Sequence, residues 1–312
     1  MKYRIQLAGL CAAFAMSTSV SAIELEHSLG SVTLPSAPET IATFDLGVLD
    51  SLHTLGVPVQ GVPKSMYEGH LAPYSDATVV GTLFEPDYDV LKELKPDLIV
   101  AGRRSQPAME QLQEIAPTVV FLNDDQSFIE GFKRDNLALA SVFAKEEQAQ
   151  GAINAIESDV KALHEANKGK TGALLFVVNN NVIAHAPGDR FGYAYELTGL
   201  ESVLPARDPN EPVAPRPEAG SPEAKAAAEA RAKTISTLAK AEPDWLIVLD
   251  RGAINGAEKT AAATLEKHPE LSQTEAFKAG RVVYVDPNGW YIIGSGLTNL
   301  KAITESLLAQ MK

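Results

Sequence analysis

The residues best suited to chemistry in this chain are arginines that close apolar runs. Arg103 ends "KPDLIVAGRR" (95–104), and Arg251 ends "EPDWLIVLDRG" (242–252), so the same Pro-Asp turn and strand are written twice. Arg190 stands in "NNNVIAHAPGDRFG", after a Pro-Gly turn and just before a helical stretch. Backbone N–H groups and the positive end of a helix dipole would reinforce its charge there. A lone arginine at a strand end is most often a surface residue or a carboxylate's partner, and Asp189 and Asp250 each adjoin one of these. Three at convergent places are different. Guanidiniums gathered without carboxylates repel one another, so a cleft built from them calls for an anionic ligand. Arg104 is expected to face away from that cleft, because side chains alternate across an extended chain. Trp290 and Tyr291 offer aromatic packing, Trp290 equally well as a strand residue filling the core.

The elements that must position these residues follow from period and punctuation. "TFDLGVLDSLHTLG" spaces Leu46, Leu49, Leu52 and Leu55 as one helical face and stops at Gly56. "ETIATF" precedes it and "VPVQGV" follows, both as short strands. "PDYDVLKELKPDLIVAG" and "QPAMEQLQEIAPTVVFL" each read as a helix feeding a strand, the alternation of an α/β sheet with parallel strands. Residues 134–168 contain no proline and keep helical spacing, which gives one long helix or a helix pair. Afterwards the alternation restarts with "TGALLFVVN", "GYAYELTGL", "TISTLAKAEPDWLIVLD", "RVVYVDP" and a final helix over 297–312. The expected fold class is α/β, with two Rossmann-like lobes (23–143 and 169–312), a connecting helix (144–168) and a ligand cleft between the lobes. Ligands of open α/β sheets bind outside the carboxyl ends of the strands, where Arg103 and Arg251 stand. Residues 204–233 carry six prolines from Pro205 to Pro222 and then an Ala/Glu/Lys/Arg run. They read as an insertion, half exposed loop and half solvated helix.

Lys2 and Arg4, the apolar run "LAGLCAAFAM" and small residues at Val20 and Ala22 have the layout of a secretory signal peptide over residues 1–22. That run is too short to span a bilayer, so no membrane insertion is expected. Leu10 before Cys11 argues against a lipid anchor. Without the leader the formal charge moves from −13 to −15, a surface unsuited to nucleic acid or anionic membrane as partners. No cysteine remains, so the core alone must hold the fold. No G-x-S-x-G, H-E-x-x-H, C-x-x-C or Gly-rich phosphate loop is present. The six histidines are scattered, which disfavours a zinc or manganese site.

The run "GTLFEPDYDVLKELKPDLIVAGR", the "GDRFGYAYELTGL" turn, "PDWLIVLDR" and "VVYVDPNGWYIIGSGLTNLKAI" resemble the periplasmic ferric-siderophore binding proteins of ABC importers. The similarity is to the catecholate-binding branch of these class III periplasmic binding proteins, and it spans nearly all of the chain outside the proline-rich stretch. The resemblance implies a monomeric, non-enzymatic periplasmic protein without a permanent cofactor. Its cargo would be an Fe(III)-catecholate siderophore, and its partner the permease subunits of an ABC importer. It places the family's arginine triad on Arg103, Arg190 and Arg251, and a tyrosine able to ligate iron on Tyr291. Some members add a histidine before the strand ending in "DR". Here residues 204–250 hold none, which leaves His185 as the nearest alternative metal ligand. The resemblance further implies one permease-docking acid on the outer face of each lobe, Asp50 and Glu196. The nearer rival is a haem carrier of the same fold, which would use Tyr or His on iron and fewer arginines.

Overall fold

The computed structural model describes residues 22–123, 127–208 and 217–311. The expected leader lies outside them apart from Ala22, as does the stretch 209–216 of the proline-rich segment.

An antiparallel hairpin opens the described chain, β1 (Ile23–His27) with β2 (Gly30–Leu34). A five-stranded parallel sheet follows in the order β5-β4-β3-β6-β7, formed by β3 (Ile41–Thr43), β4 (Gly61–Val62), β5 (Thr78–Val79), β6 (Leu98–Ala101) and β7 (Thr118–Val120). Helices α1 (Leu46–Thr54), α2 (Tyr88–Leu94) and α3 (Met109–Gln113) connect its strands. The second sheet runs β10-β8-β11-β12, from β8 (Thr171–Val178), β10 (Glu201–Ser202), β11 (Trp245–Asp250) and β12 (Val282–Val285), all parallel. β9 (Asn181–His185) turns back antiparallel on β8. Every residue of β6 and of β11 is buried, as in parallel strands covered on both faces.

The twice-written Pro-Asp motif has a mechanical role. Lys95 and Glu242, each just before the proline, adopt the left-handed region at φ 52° and 48° and stop the preceding helix. Asp97 Oδ2 then accepts N–H bonds from Glu39 (3.0 Å) and Thr40 (2.8 Å) beside β3. Asp244 Oδ2 accepts from the Thr171 N–H (2.8 Å) at the start of β8. Each aspartate thus staples its own strand to the neighbouring parallel strand, and the two arginine-bearing strand ends become equivalent by construction.

Residues 134–168 resolve into a helix pair. α4 (Phe128–Val142) and α5 (Glu146–Ala166) break at Ala144, where φ is 52°. The last helix, α10 (Leu297–Gln310), packs along α5 and against α1. Its Leu297, Leu300, Ile303 and Leu307 are buried, each contributing about 1.5–3 kcal/mol of transfer free energy. Asp159 of α5 accepts bonds from Lys301 Nζ (2.6 Å) and Thr304 Oγ1 (2.8 Å) of α10. The second lobe also carries α6 (Tyr193–Thr198), α7 (Pro222–Lys240), α8 (Ala261–Glu266) and α9 (Glu275–Lys278), the last three packed on the face of the second sheet away from α10. α7 does not end where the insertion was expected to end at 233. Its N-terminal turns are exposed, but its last turns bury Ile235, Leu238 and Ala239 under the second sheet, so the segment is anchored in the lobe.

Candidate functional site

The arginines converge on one tyrosine. Tyr291 sits on a π-helical turn, Gly289–Ile293, and the carbonyls of Gly289 at its start and Gly294 just past its end accept from the Asn299 carboxamide at 3.0 and 3.2 Å. Its ring stacks on Phe191 at 5.4 Å and 17°. The guanidinium carbons of Arg251, Arg104 and Arg190 stand 5.0, 5.6 and 5.7 Å from the Tyr291 ring centroid, within cation–π range. Arg190 also lies 5.0 Å over the Phe191 ring. Burial against this aromatic wall, and then the Arg104 charge, push the Arg190 pKa below its ordinary value. Among the described residues the Tyr291 hydroxyl has no hydrogen-bond partner.

The local chain explains each placement. Gly102 and Ser105 close a turn through Ser105 N–H to Gly102 O (3.1 Å) and Gly102 N–H to Ser105 Oγ (2.9 Å). A Cβ on Gly102 would come within 2.7 Å of the Phe44 carbonyl, so the turn needs glycine there. Arg103 and Arg104 are the two central residues of that turn, and alternation along a strand does not apply to them. Arg103 donates to the Leu122 carbonyl. Arg104 donates from Nη2 to the Tyr291 carbonyl (2.9 Å) across the cleft, which corrects the expectation that it faces away.

Neither neighbouring carboxylate neutralises its arginine. Asp250 accepts N–H bonds from Gly252 (3.1 Å), Thr260 and Ala261 (2.7 Å). Asp189 accepts from Ala186 N–H (2.9 Å) and faces His185 and Arg207 at 3.6 and 3.5 Å. The neighbouring His185 ring first of all holds the Asp189 carboxyl below its usual range. Among the described residues, Arg104, Arg190 and Arg251 have no carboxylate within ion-pair distance. Asp45, on the cleft floor, caps α1 through the N–H groups of Gly47 (2.8 Å) and Val48 (3.1 Å). Burial raises its carboxyl pKa, partly offset by those two bonds and by Arg104 and Arg103.

Phe44, Arg103 and Arg104 line the cleft from the first lobe, Arg190, Phe191 and Tyr291 from the second, around a volume of about 140 Å³. A wider groove of about 760 Å³ on the first lobe presents Glu85, Asp87, Asp89 and Glu114, a lining unfit for an anion.

Three expectations, for His185, Asp50 and Glu196, fail on placement, and that for Trp290 holds only in part. Trp290 is 2% exposed and stacks on Tyr193 at 5.5 Å, so it fills the core while its edge still lines the cleft. His185 is held between Asp189 and the Phe176 ring (4.2 Å), behind Phe191, and does not line the cleft. Among the described residues no group of three or more His, Cys, Asp or Glu side chains could hold a metal ion. Asp50, expected on an outer face, is fully buried: its carboxylate takes the His70 ring nitrogen and the N–H groups of Thr298 (2.9 Å) and Asn299 (3.2 Å). Glu196 is only half-buried, but its carboxylate is bound to Ser127 Oγ and to the N–H groups of Phe128 (2.7 Å) and Ile129 (3.0 Å). α1 and α6 are buried along most of their length, and acids on them find backbone donors before they find solvent. Sequence reasoning missed Arg104 in the cleft, although the Gly and Ser bracketing "GRRS" signal a turn.

Comparison with known proteins agrees with this architecture. Residues 41–288 match the family model described as periplasmic binding protein. The petrobactin-binding protein YclQ of Bacillus subtilis (strain 168) is 30% identical over 91% of this chain and 86% of its own. The ferric-anguibactin-binding protein FatB of Vibrio anguillarum is 27% identical over 92% and 86%. The crystal structure of YclQ superposes with a TM-score of 0.79 over 94% of this chain and 99% of that one, at 26% identity. The periplasmic catecholate-siderophore binding protein VctP of Vibrio cholerae gives 0.75 over 93% and 99%, at 27% identity. Among the described residues no helix is long and apolar enough to cross a membrane. With two parallel sheets facing across an arginine-lined cleft and a family match over most of its length, the chain belongs to the periplasmic binding protein family.

Proposed function

We propose that the protein captures an anionic ferric catecholate siderophore in the cleft between its lobes and delivers it, in the periplasm, to the permease of an ABC importer. The observation that carries this reading is the set of guanidiniums of Arg104, Arg190 and Arg251 gathered on Tyr291 without carboxylate partners among the described residues, with Arg103 in the same cleft wall. A ferric tris-catecholate carries a charge of about −3, and each charge-assisted hydrogen bond to it contributes about 1.5–3 kcal/mol. On a chain with formal charge −13 such a cluster has little use other than holding an anion. The printed ligands of the relatives, petrobactin, ferric anguibactin and a catecholate siderophore, support the same class. In this reading the Tyr291 phenol completes the iron's coordination in a complex that offers only four catecholate oxygens. Among the described residues no histidine lines the cleft to assist it, so the preferred cargo in this reading is a complex saturated by six oxygens or completed by Tyr291 alone.

The test is a titration of the intrinsic fluorescence of Trp245 and Trp290 with a ferric tris-catecholate, a neutral ferric hydroxamate and haemin. Quenching by the tris-catecholate alone, weakened by added salt, is expected. Tight binding of the hydroxamate or of haemin, with none of the catecholate, would overturn the assignment.

A further inference from the structure

The two acids expected at a docking surface are engaged across the lobe boundary in the same way. Asp50 belongs to α1 of the first lobe, yet its Oδ2 takes the N–H groups of Thr298 and Asn299, in the first turn of α10. α10 has glycine at its N-cap, Gly296, and no side-chain cap of its own. Ser51 Oγ, next to Asp50, accepts the N–H of Leu297 (3.3 Å), and Thr54 Oγ1 meets Thr298 Oγ1 at 2.7 Å. Glu196 belongs to α6 of the second lobe, yet it takes the N–H groups of Phe128 and Ile129, in the first turn of α4. Each lobe therefore supplies the carboxylate that caps a helix entering from the other, where an anion is favoured by unpaired N–H groups and the dipole.

Each cap sits next to a segment that lines the cleft. The Asn299 carboxamide, fixed by the Asp50 cap, holds both ends of the turn that carries Tyr291. Phe128, fixed by the Glu196 cap, lines the cleft and stacks on Tyr193 at 4.3 Å. We infer that Asp50 and Glu196 are reciprocal positioning residues, each setting the cleft-lining segment of the opposite lobe. The role is independent of what the cleft binds.

Hydrogen–deuterium exchange of the ligand-free full-length chain tests this. Asp50→Asn should accelerate exchange over 289–299 about tenfold, the effect of losing one net hydrogen bond to a charged group, and leave 127–131 unchanged. Glu196→Gln should do the reverse, accelerating 127–131 and leaving 289–299 alone. If Asp50→Asn does not fold, Asn299→Ala cuts the same connection one bond nearer the turn and should accelerate 289–294. Uniform acceleration throughout the chain in these variants, or unchanged exchange in the named segments, would overturn the inference.

Discussion

Replacing Arg190 by methionine should move two measurable quantities in opposite directions. Arg104 and Arg190 both lie within 5.7 Å of the Tyr291 centroid, so their guanidinium carbons are no more than about 11 Å apart. At that separation and an effective dielectric constant of about 20, two like charges repel by about 1.5 kcal/mol. Arg190 packs on the aromatic wall on one side but keeps a solvent-exposed surface on the other, and physiological salt with a screening length of about 8 Å leaves about 0.4 kcal/mol of this. Arg190→Met removes that repulsion and keeps an unbranched chain over Phe191. The ligand-free protein should therefore melt at the same temperature or about 1–2 °C higher. Affinity for a ferric tris-catecholate should fall, because truncating one partner of a desolvated charge pair costs about 2–5 kcal/mol, or roughly 30-fold and more. Calorimetric melting without ligand and tryptophan quenching with it supply the two numbers. A variant that melts several degrees lower while binding as tightly as the parent would make Arg190 a structural residue and refute the electrostatic account of the cleft.

Other expected outcomes are separate from that one. With a four-oxygen bis-catecholate iron complex, Tyr291→Phe should abolish the shift in the charge-transfer band seen with the parent, whereas a six-oxygen complex should bind both forms alike. Identical spectra with the four-oxygen ligand would reduce Tyr291 to a stacking partner. His268 accepts N–H bonds from Glu270 and Leu271 at Nδ1, and burial lowers its pKa from 6.5. A depressed imidazole pKa contributes stability above 6.5 that is lost as pH falls through the folded-state value, so His268→Asn should flatten the melting temperature between pH 7 and 5. An unchanged pH profile in that variant would assign the acid sensitivity elsewhere. Gly199→Ala should destabilise by about 1–3 kcal/mol in denaturant titration. The position has φ 69°, and a new Cβ would come within 2.8 Å of the His164 ring.

The fold was legible where local chemistry decides it. The paired Pro-Asp motifs, buried four- and six-residue strands and the helical period of 134–168 all report backbone behaviour that neighbouring residues dictate. The hairpin β1–β2 went unread and β9 showed only as strand-like residues before a Pro-Gly turn, because their burial follows no clear period, although each pairs with its immediate neighbour in the chain. At the site, Arg103 and Arg251 are legible because strand ends in parallel sheets share one edge, and Arg190 because a turn leads into a helix there. Arg104 was misjudged because a turn, not a strand, carries it. Asp50 illustrates the opposite limit. Its spacing marks a helix, but whether a helical acid meets solvent or a capless helix end depends on residues 248 and 249 positions away.

That separation has a consequence for assembly. The N-terminal lobe exposes a carboxylate and an apolar helix face whose partners belong to the last helix, so neither lobe can reach its final state until residues 297–310 have docked. A bond spanning nearly the whole chain pays its loop-closure entropy last and slows folding, in the manner of proteins with high contact order. Cutting the molecule at the break in front of α5 would not yield two working halves. The N-terminal piece would retain Asp50 buried with His70 alone, an under-compensated charge that favours unfolding. Two lobes that look modular in outline should therefore melt as one cooperative unit.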